Sequence, residues 1–92
     1  MIQNFRDADT AEFFVKRSNA RWGNLKKVAL RKLDQMEASL KLNDLKALPG
    51  YRLESLKRDR AGRHSIGING QYRICFVWKL DGAHEVEITD YH

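Results

Sequence analysis

Arg52, Lys57, Arg58, Arg60 and Arg63 crowd one stretch of the chain, interrupted only by Glu54 and Asp59. They sit beside a turn signal, where loop side chains can converge on a ligand. Cations gathered in this way neutralise phosphates, so contact with RNA is the reading preferred here over a merely solvated loop. A second basic group, Lys16, Arg17, Arg21, Lys26, Lys27, Arg31 and Lys32, contains no acidic residue between Phe13 and Lys32. Its helical setting favours a solvated face, because charge runs on helices commonly serve solubility. Seventeen Lys and Arg against twelve Asp and Glu leave a net charge of +5, with an isoelectric point near 9.6. Polyanions are the favoured partners of such a surface. Other chemistries lack their motifs: there is no phosphate-cradling glycine loop, no Cys and His spacing for zinc and no nucleophile elbow. Cys75 stands alone in an apolar run and reads as a small buried hydrophobe.

Ninety-two residues suit one domain, 1–92. With 42% hydrophobic and 32% charged residues, the composition fits neither a disordered chain nor a membrane protein. No apolar run approaches the ~18 residues of a membrane span, and Met1 to Arg6 does not resemble a secretory signal, so a cytoplasmic location without membrane contact is expected. A chain of this size buries only about 60% of its unfolded surface, and a bound partner would add to its stability.

The elements that must position the cations follow from periodicity. Ile2 to Phe5 is a weak candidate for a first strand. Asp9 and Glu12 form an N-cap pattern for a helix from about Thr10 to Arg17, which Ser18 to Gly23 breaks. Leu25, Val28, Ala29, Leu33, Met36 and Leu40 form one stripe of a helix over about Leu25–Leu40, capped by Asn24, with Lys26, Lys27, Arg31 and Lys32 pointing elsewhere. A helical turn through Leu42, Leu45 and Leu48 ends at Pro49-Gly50.

Beyond Pro49 the spacing changes to alternation. Strands are expected at Tyr51–Leu56, His64–Ile68, Tyr72–Trp78 and His84 to about Tyr91, with a type I′ hairpin at Asn69-Gly70 and a turn at Asp81-Gly82. Helices followed by a meander predict an α+β fold, with the helices on one face of a mainly antiparallel sheet. If Ile74 and Phe76 face the helices, Arg73 is displayed on the uncovered face, as is Tyr91 if its phase matches, and an exposed strand arginine contributes little to stability. A one-residue bulge would reverse this assignment. Trp22 and Trp78 read as packing residues and His84 as a solvated residue after its turn.

The string from Leu56 to Ile66 (Leu-Lys-Arg-Asp-Arg-Ala-Gly-Arg-His-Ser-Ile), then Asn69-Gly70-Gln71-Tyr72-Arg73-Ile74-Cys75-Phe76 and the terminal Asp90-Tyr91-His92, resembles the HigB toxins of the RelE superfamily. The resemblance extends over nearly the whole chain and implies two N-terminal helices on a small microbial-RNase-like sheet. It also implies a type II toxin that cuts mRNA in the ribosomal decoding site without metal or nucleotide cofactor. Its partners would be the ribosome, mRNA and a HigA-like helix-turn-helix antitoxin, with DNA reached only indirectly through that antitoxin. By the same resemblance Arg73 matches the arginine at the scissile phosphate, Lys57 a basic residue near the RNA, and Asp90, Tyr91 and His92 the terminal catalytic cluster. Two positions depart from the family pattern. Glu54 stands where some HigB toxins have a catalytic histidine, so their proton-transfer scheme does not carry over, and Arg58 replaces a glycine common before the Asp-Arg pair.

RNA cleavage of this kind requires a base for the ribose 2′-OH, charge stabilisation at phosphorus and an acid for the departing 5′ oxygen. Arg73 suits the phosphate, with Lys57 and Arg60 as further cations. His92, beside Asp90 and the chain's own terminal carboxylate, is one proton carrier, and Glu54 is an alternative base. Tyr91 can stack on a base or bond a phosphate. Arg58, Arg63 and His64 complete the candidate RNA contacts, His64 otherwise being an ordinary sheet histidine. A non-catalytic RNA-binding or protein-interaction module is the competing reading.

Overall fold

The computed structural model describes residues 1–46, 53–55 and 62–90. Helix α1 spans Ala8–Lys16, and its first turn is capped by Asp7, whose Oδ2 accepts from the Thr10 amide at 3.1 Å. Asp7 therefore takes the capping role that spacing suggested for Asp9. Asp9 instead pairs with Arg21 at 3.1 Å. The expected break after α1 is a 3-10 helix, Ala20–Leu25, capped by Asn19 and kinked at Trp22, whose ring is buried against Phe13. Helix α2 runs Lys26–Ala38 and has no side-chain cap, so Asn24 does not serve as one. It stops at Ser39, where the backbone turns extended, and Leu40 consequently leaves the apolar stripe for solvent. Helix α3 is the short turn Leu42–Lys46. The expected Leu48 contact and the Pro49-Gly50 turn lie outside the described residues.

Strands β1 (Glu54–Ser55), β2 (Arg63–Gly67), β3 (Tyr72–Lys79) and β4 (Gly82–Asp90) form a four-stranded antiparallel sheet in the order β1-β2-β3-β4. At its β4 edge the N-terminal segment joins in parallel through Ile2 opposite Ala83 and Phe5 opposite Val86. The architecture is the expected α+β arrangement. Ile66, Ile74, Phe76, Val86 and Ile88 meet Phe13, Trp22, Leu25, Ala29, Leu33 and Met36 in one apolar core between sheet and helices. No described helix is long and apolar enough to cross a membrane.

Several polar details depart from the sequence reading. Lys32 does not point away from the core: it is buried, and its Nζ donates to the Gly67 carbonyl, joining α2 to β2. Neither Asn69 nor Gly70 adopts positive φ, so the β2–β3 connection is not a type I′ turn. The Asn69 Oδ1 organises it by accepting from the amides of Gln71 and Tyr72, each at 2.8 Å. His84 is held between Asn4 Nδ2 at 2.9 Å and Asp81 Oδ1 at 2.6 Å, and that hydrogen bond keeps the Asp81 carboxyl below the ordinary carboxylate range. Much of the long basic run is paired within the protein, as Lys16–Glu12, Arg17–Asp34 and Arg21–Asp9.

The two hairpin glycines should behave differently. Gly82 has φ 127°, and a Cβ there would meet the Met1 carbonyl oxygen at 2.0 Å. Gly70 has open space and no positive φ. Gly82→Ala is expected to lose at least ~2 kcal/mol in urea unfolding, since it strains the backbone and separates the N-terminal segment from β4. Gly70→Ala should stay within ~0.5 kcal/mol of the parent, whereas a type I′ turn would make it clearly destabilising.

Candidate functional site

Alternation along the strands sorts the candidate residues between the two faces of the sheet. Antiparallel partners point the same way, so the pairings Glu54 with Ser65, Ser65 with Cys75, and Cys75 with Glu87 define one row on the face away from the helices. Gly67, Arg73 and Thr89 form the next row, while Arg63, Val77 and His84 lie on the other side of the first. The sheet thus gathers Arg63, Arg73 and Glu54 on one face. A bulge is present between Cys75 and Val77, where Phe76 is matched by both Glu85 and Val86. Because β4 resumes its phase by Glu87, the bulge leaves Arg73 opposite the helices.

Arg73 is nevertheless not exposed, which corrects the expectation of a solvent-facing strand arginine. Its side chain is 7% accessible. The guanidinium lies back across the sheet, donating from Nε to Ser65 Oγ at 2.8 Å and from Nη2 to the Ser65 carbonyl at 3.3 Å. Nη2 also approaches Glu54 Oε1 at 3.9 Å, the Glu54 side chain being half exposed. A guanidinium offers five donors in a rigid plane, so two acceptors on one residue set its orientation. Ser65 is fully buried, and residue type gave no sign of its role. Its position two residues after Arg63 shows that they share a face, but only the pairing with β3 places it beside Arg73.

Two further arginines on this face meet carboxylates. Arg63 is buried and reaches Glu85 Oε1 at 3.2 Å from Nη2, and Arg6 reaches Glu87 Oε2 at 3.1 Å. Glu85 occupies the bulge with φ 51°, its amide donating to Asn4 Oδ1 at 2.7 Å. A non-glycine residue in the left-handed region is uncommon, and the N-terminal segment sustains it here.

The remaining candidates are placed elsewhere or lie outside the description. His64 points to the helical side, where it stacks on Phe76 at 6.0 Å and lines a cleft with Lys46 and Leu53, so it does not join Arg73. Asp90 pairs with Tyr72 and therefore also faces away from Arg73, its Oδ2 accepting from Gln71 Nε2 at 2.9 Å. Lys57, Arg58, Arg60, Tyr91 and His92 lie outside the described residues. No group of three His, Cys, Asp or Glu among the described residues is arranged to hold a metal ion.

A family model described as the RelE-like toxin of type II toxin-antitoxin system HigB matches residues 3–92. The chain belongs to the HigB-like toxin family. Toxin HigB-1 of Vibrio cholerae is 33% identical over 85 residues, covering 90% of this chain and 88% of that one. An uncharacterized protein of Haemophilus influenzae is 41% identical over 58 residues, covering 63% of this chain and 55% of its own length. Among solved structures, YoeB in its complex with YefM from Staphylococcus aureus superposes with TM-score 0.62 at 17% identity, covering 100% of this chain and 98% of that one. The YoeB dimer from the same organism gives TM-score 0.62 at 19% identity, covering 99% and 94%. These neighbours share the α+β fold of this HigB-like toxin.

The burial of Arg73 makes a stability prediction opposite to the one drawn from strand phase alone. Arg73→Ala removes the donor from a fully buried serine and is expected to lower unfolding free energy by ~1–3 kcal/mol, measured by urea denaturation. Ser65→Ala should cost about 1 kcal/mol or more for the same reason, and no change in either variant would show that the Arg73–Ser65 contact carries no stability.

Proposed function

We propose that this toxin is an endoribonuclease that cuts mRNA held in the ribosomal decoding site, arrests translation and growth, and is neutralised by a HigA-like helix-turn-helix antitoxin. The ribosome as the site of action implies work in the cytoplasm, with DNA approached only through the antitoxin. Membership of the HigB-like family supports the reading at the level of toxin class. The observation that carries it further is the juxtaposition of Arg73 and Glu54 at 3.9 Å on the sheet face opposite the helices.

The chemistry assigned to these groups is attack of a ribose 2′ oxygen on the adjacent phosphorus, with the bond to the 5′ oxygen breaking. Glu54 is half exposed and faces the arginine, so it can accept the 2′ proton as the phosphate settles against the guanidinium. Arg73, held by Ser65 before any substrate arrives, stabilises the charge that develops on the phosphoryl oxygens. A cation kept away from water in this way needs little reorganisation when that charge appears. Arg63 lies on the same face and extends the cationic track. Lys57, Arg58 and Arg60 are assigned to RNA contact, Tyr91 to stacking on a base and His92 to protonation of the departing 5′ oxygen, whereas Asp90 faces away from Arg73 and is left out of the reacting group.

Cleavage of mRNA on programmed ribosomes tests the assignment. Arg73→Lys keeps the charge but loses the two-pronged geometry and is expected to slow cleavage by roughly 10²–10³ while ribosome binding persists. Glu54→Gln should slow cleavage by roughly 10²-fold. Ribosome binding by the parent toxin without any cut in the message would favour the non-catalytic RNA-binding reading and reject this one.

A further inference from the structure

The helical side of the molecule carries an apolar groove that the sheet chemistry does not use. Leu40 is 79% exposed and Leu80 is fully exposed. With Leu42 and Trp78 they line a cleft of about 370 Å³ between the α2–α3 turn and the β3–β4 turn, flanked by Lys41 and Lys79. Leu42 also lines a second cleft of about 490 Å³, which includes Leu53 and Lys46. Single exposed leucines are ordinary on protein surfaces, whereas leucines sharing a cleft with a tryptophan form a patch that a partner can cover.

The α2–α3 turn that presents Leu40 is firmly held. The amides of Leu40 and Lys41 both donate to Asp44 Oδ2, at 3.1 and 3.0 Å. The Ser39 hydroxyl donates to the Gln35 carbonyl at 2.8 Å, and the Met1 ammonium donates to the Ser39 carbonyl. Little ordering remains to be done on binding, which favours affinity. The rim is cationic. Lys41 and Lys46 form no ion pair among the described residues, Asp44 is engaged by backbone amides, and Asp81, which also feels the charge of Lys79, is bonded to His84.

We propose that this groove seats an acidic amphipathic segment of the antitoxin, its apolar side chains against Leu40, Trp78 and Leu80 and its carboxylates against Lys41 and Lys79. The inference rests on the toxin reading above and adds the surface and the chemistry of the partner. A second copy of this chain fits less well. Its net charge is +5, and a two-fold contact through the groove would set one lysine rim near the other.

The test titrates a purified HigA-like antitoxin that neutralises the parent toxin against the parent and Leu40→Glu/Leu80→Glu toxins by calorimetry. Both substitutions lie on exposed side chains, so the melting temperature and mRNA cleavage should match the parent. Antitoxin affinity should fall at least ~100-fold, and the antitoxin should no longer restore growth. Lys41→Glu/Lys79→Glu should also weaken binding and flatten its salt dependence. Affinity unchanged in both variants, with normal neutralisation, overturns the groove assignment and leaves the toxin reading intact. A parent dimer that the leucine variant dissociates in sedimentation, or ribosome binding lost in that variant, assigns the groove to a second copy or to RNA and equally overturns it. An antitoxin that neutralises without binding the parent toxin removes both readings.

Discussion

Taking a guanidinium out of water is costly unless its donors are met, and that requirement governs the sheet face that carries Arg73. Ser65 supplies a hydroxyl and a carbonyl, and Glu54 brings a carboxylate into range. The acceptors come from β2 and β1, so the orientation of the arginine depends on the register of three strands. Elsewhere on the face the buried Arg63 meets Glu85 through Nη2, its Nη1 being left without a partner among the described residues, and the half-exposed Arg6 meets Glu87.

The N-terminal segment is the second support. Its backbone pairs with Ala83 and Val86, and Asn4 satisfies the amide of Glu85 and one ring nitrogen of His84. Without that cover, the bulge in β4 would leave a left-handed glutamate with an unmet amide. The bulge inserts one residue yet returns Glu87 and Thr89 to the face of Cys75 and Arg73. Lys32 performs a related task on the other side, crossing from α2 to the carbonyl of Gly67, the residue paired with Arg73.

The two sides of the sheet are divided between different kinds of surface. One gathers arginines and carboxylates in rows, with Arg63 and Arg73 themselves buried. The other buries its apolar residues beneath the helices and leaves a leucine-lined groove with a lysine rim where α2 ends.

Composition and alternation alone determined the α+β class, the strands around Ser65, Arg73 and Val86, and the face on which Arg73 lies. These depend on local spacing, which the chain carries in its order of residues. The burial of Arg73 was not legible, because Ser65 and Glu54 reach it only through cross-strand pairing. Leu40 fitted the helical stripe by spacing but faces solvent, since α2 ends at Ala38. Asn69-Gly70 carried the signature of one turn and forms another, because the Asn69 side chain bonds the following amides. Asp9 and Lys32 likewise had roles that only their distant partners, Arg21 and Gly67, could assign. Tertiary structure decided each of these, for hydrogen bonds and burial are set by residues close in space, and a linear pattern reports only those close in sequence.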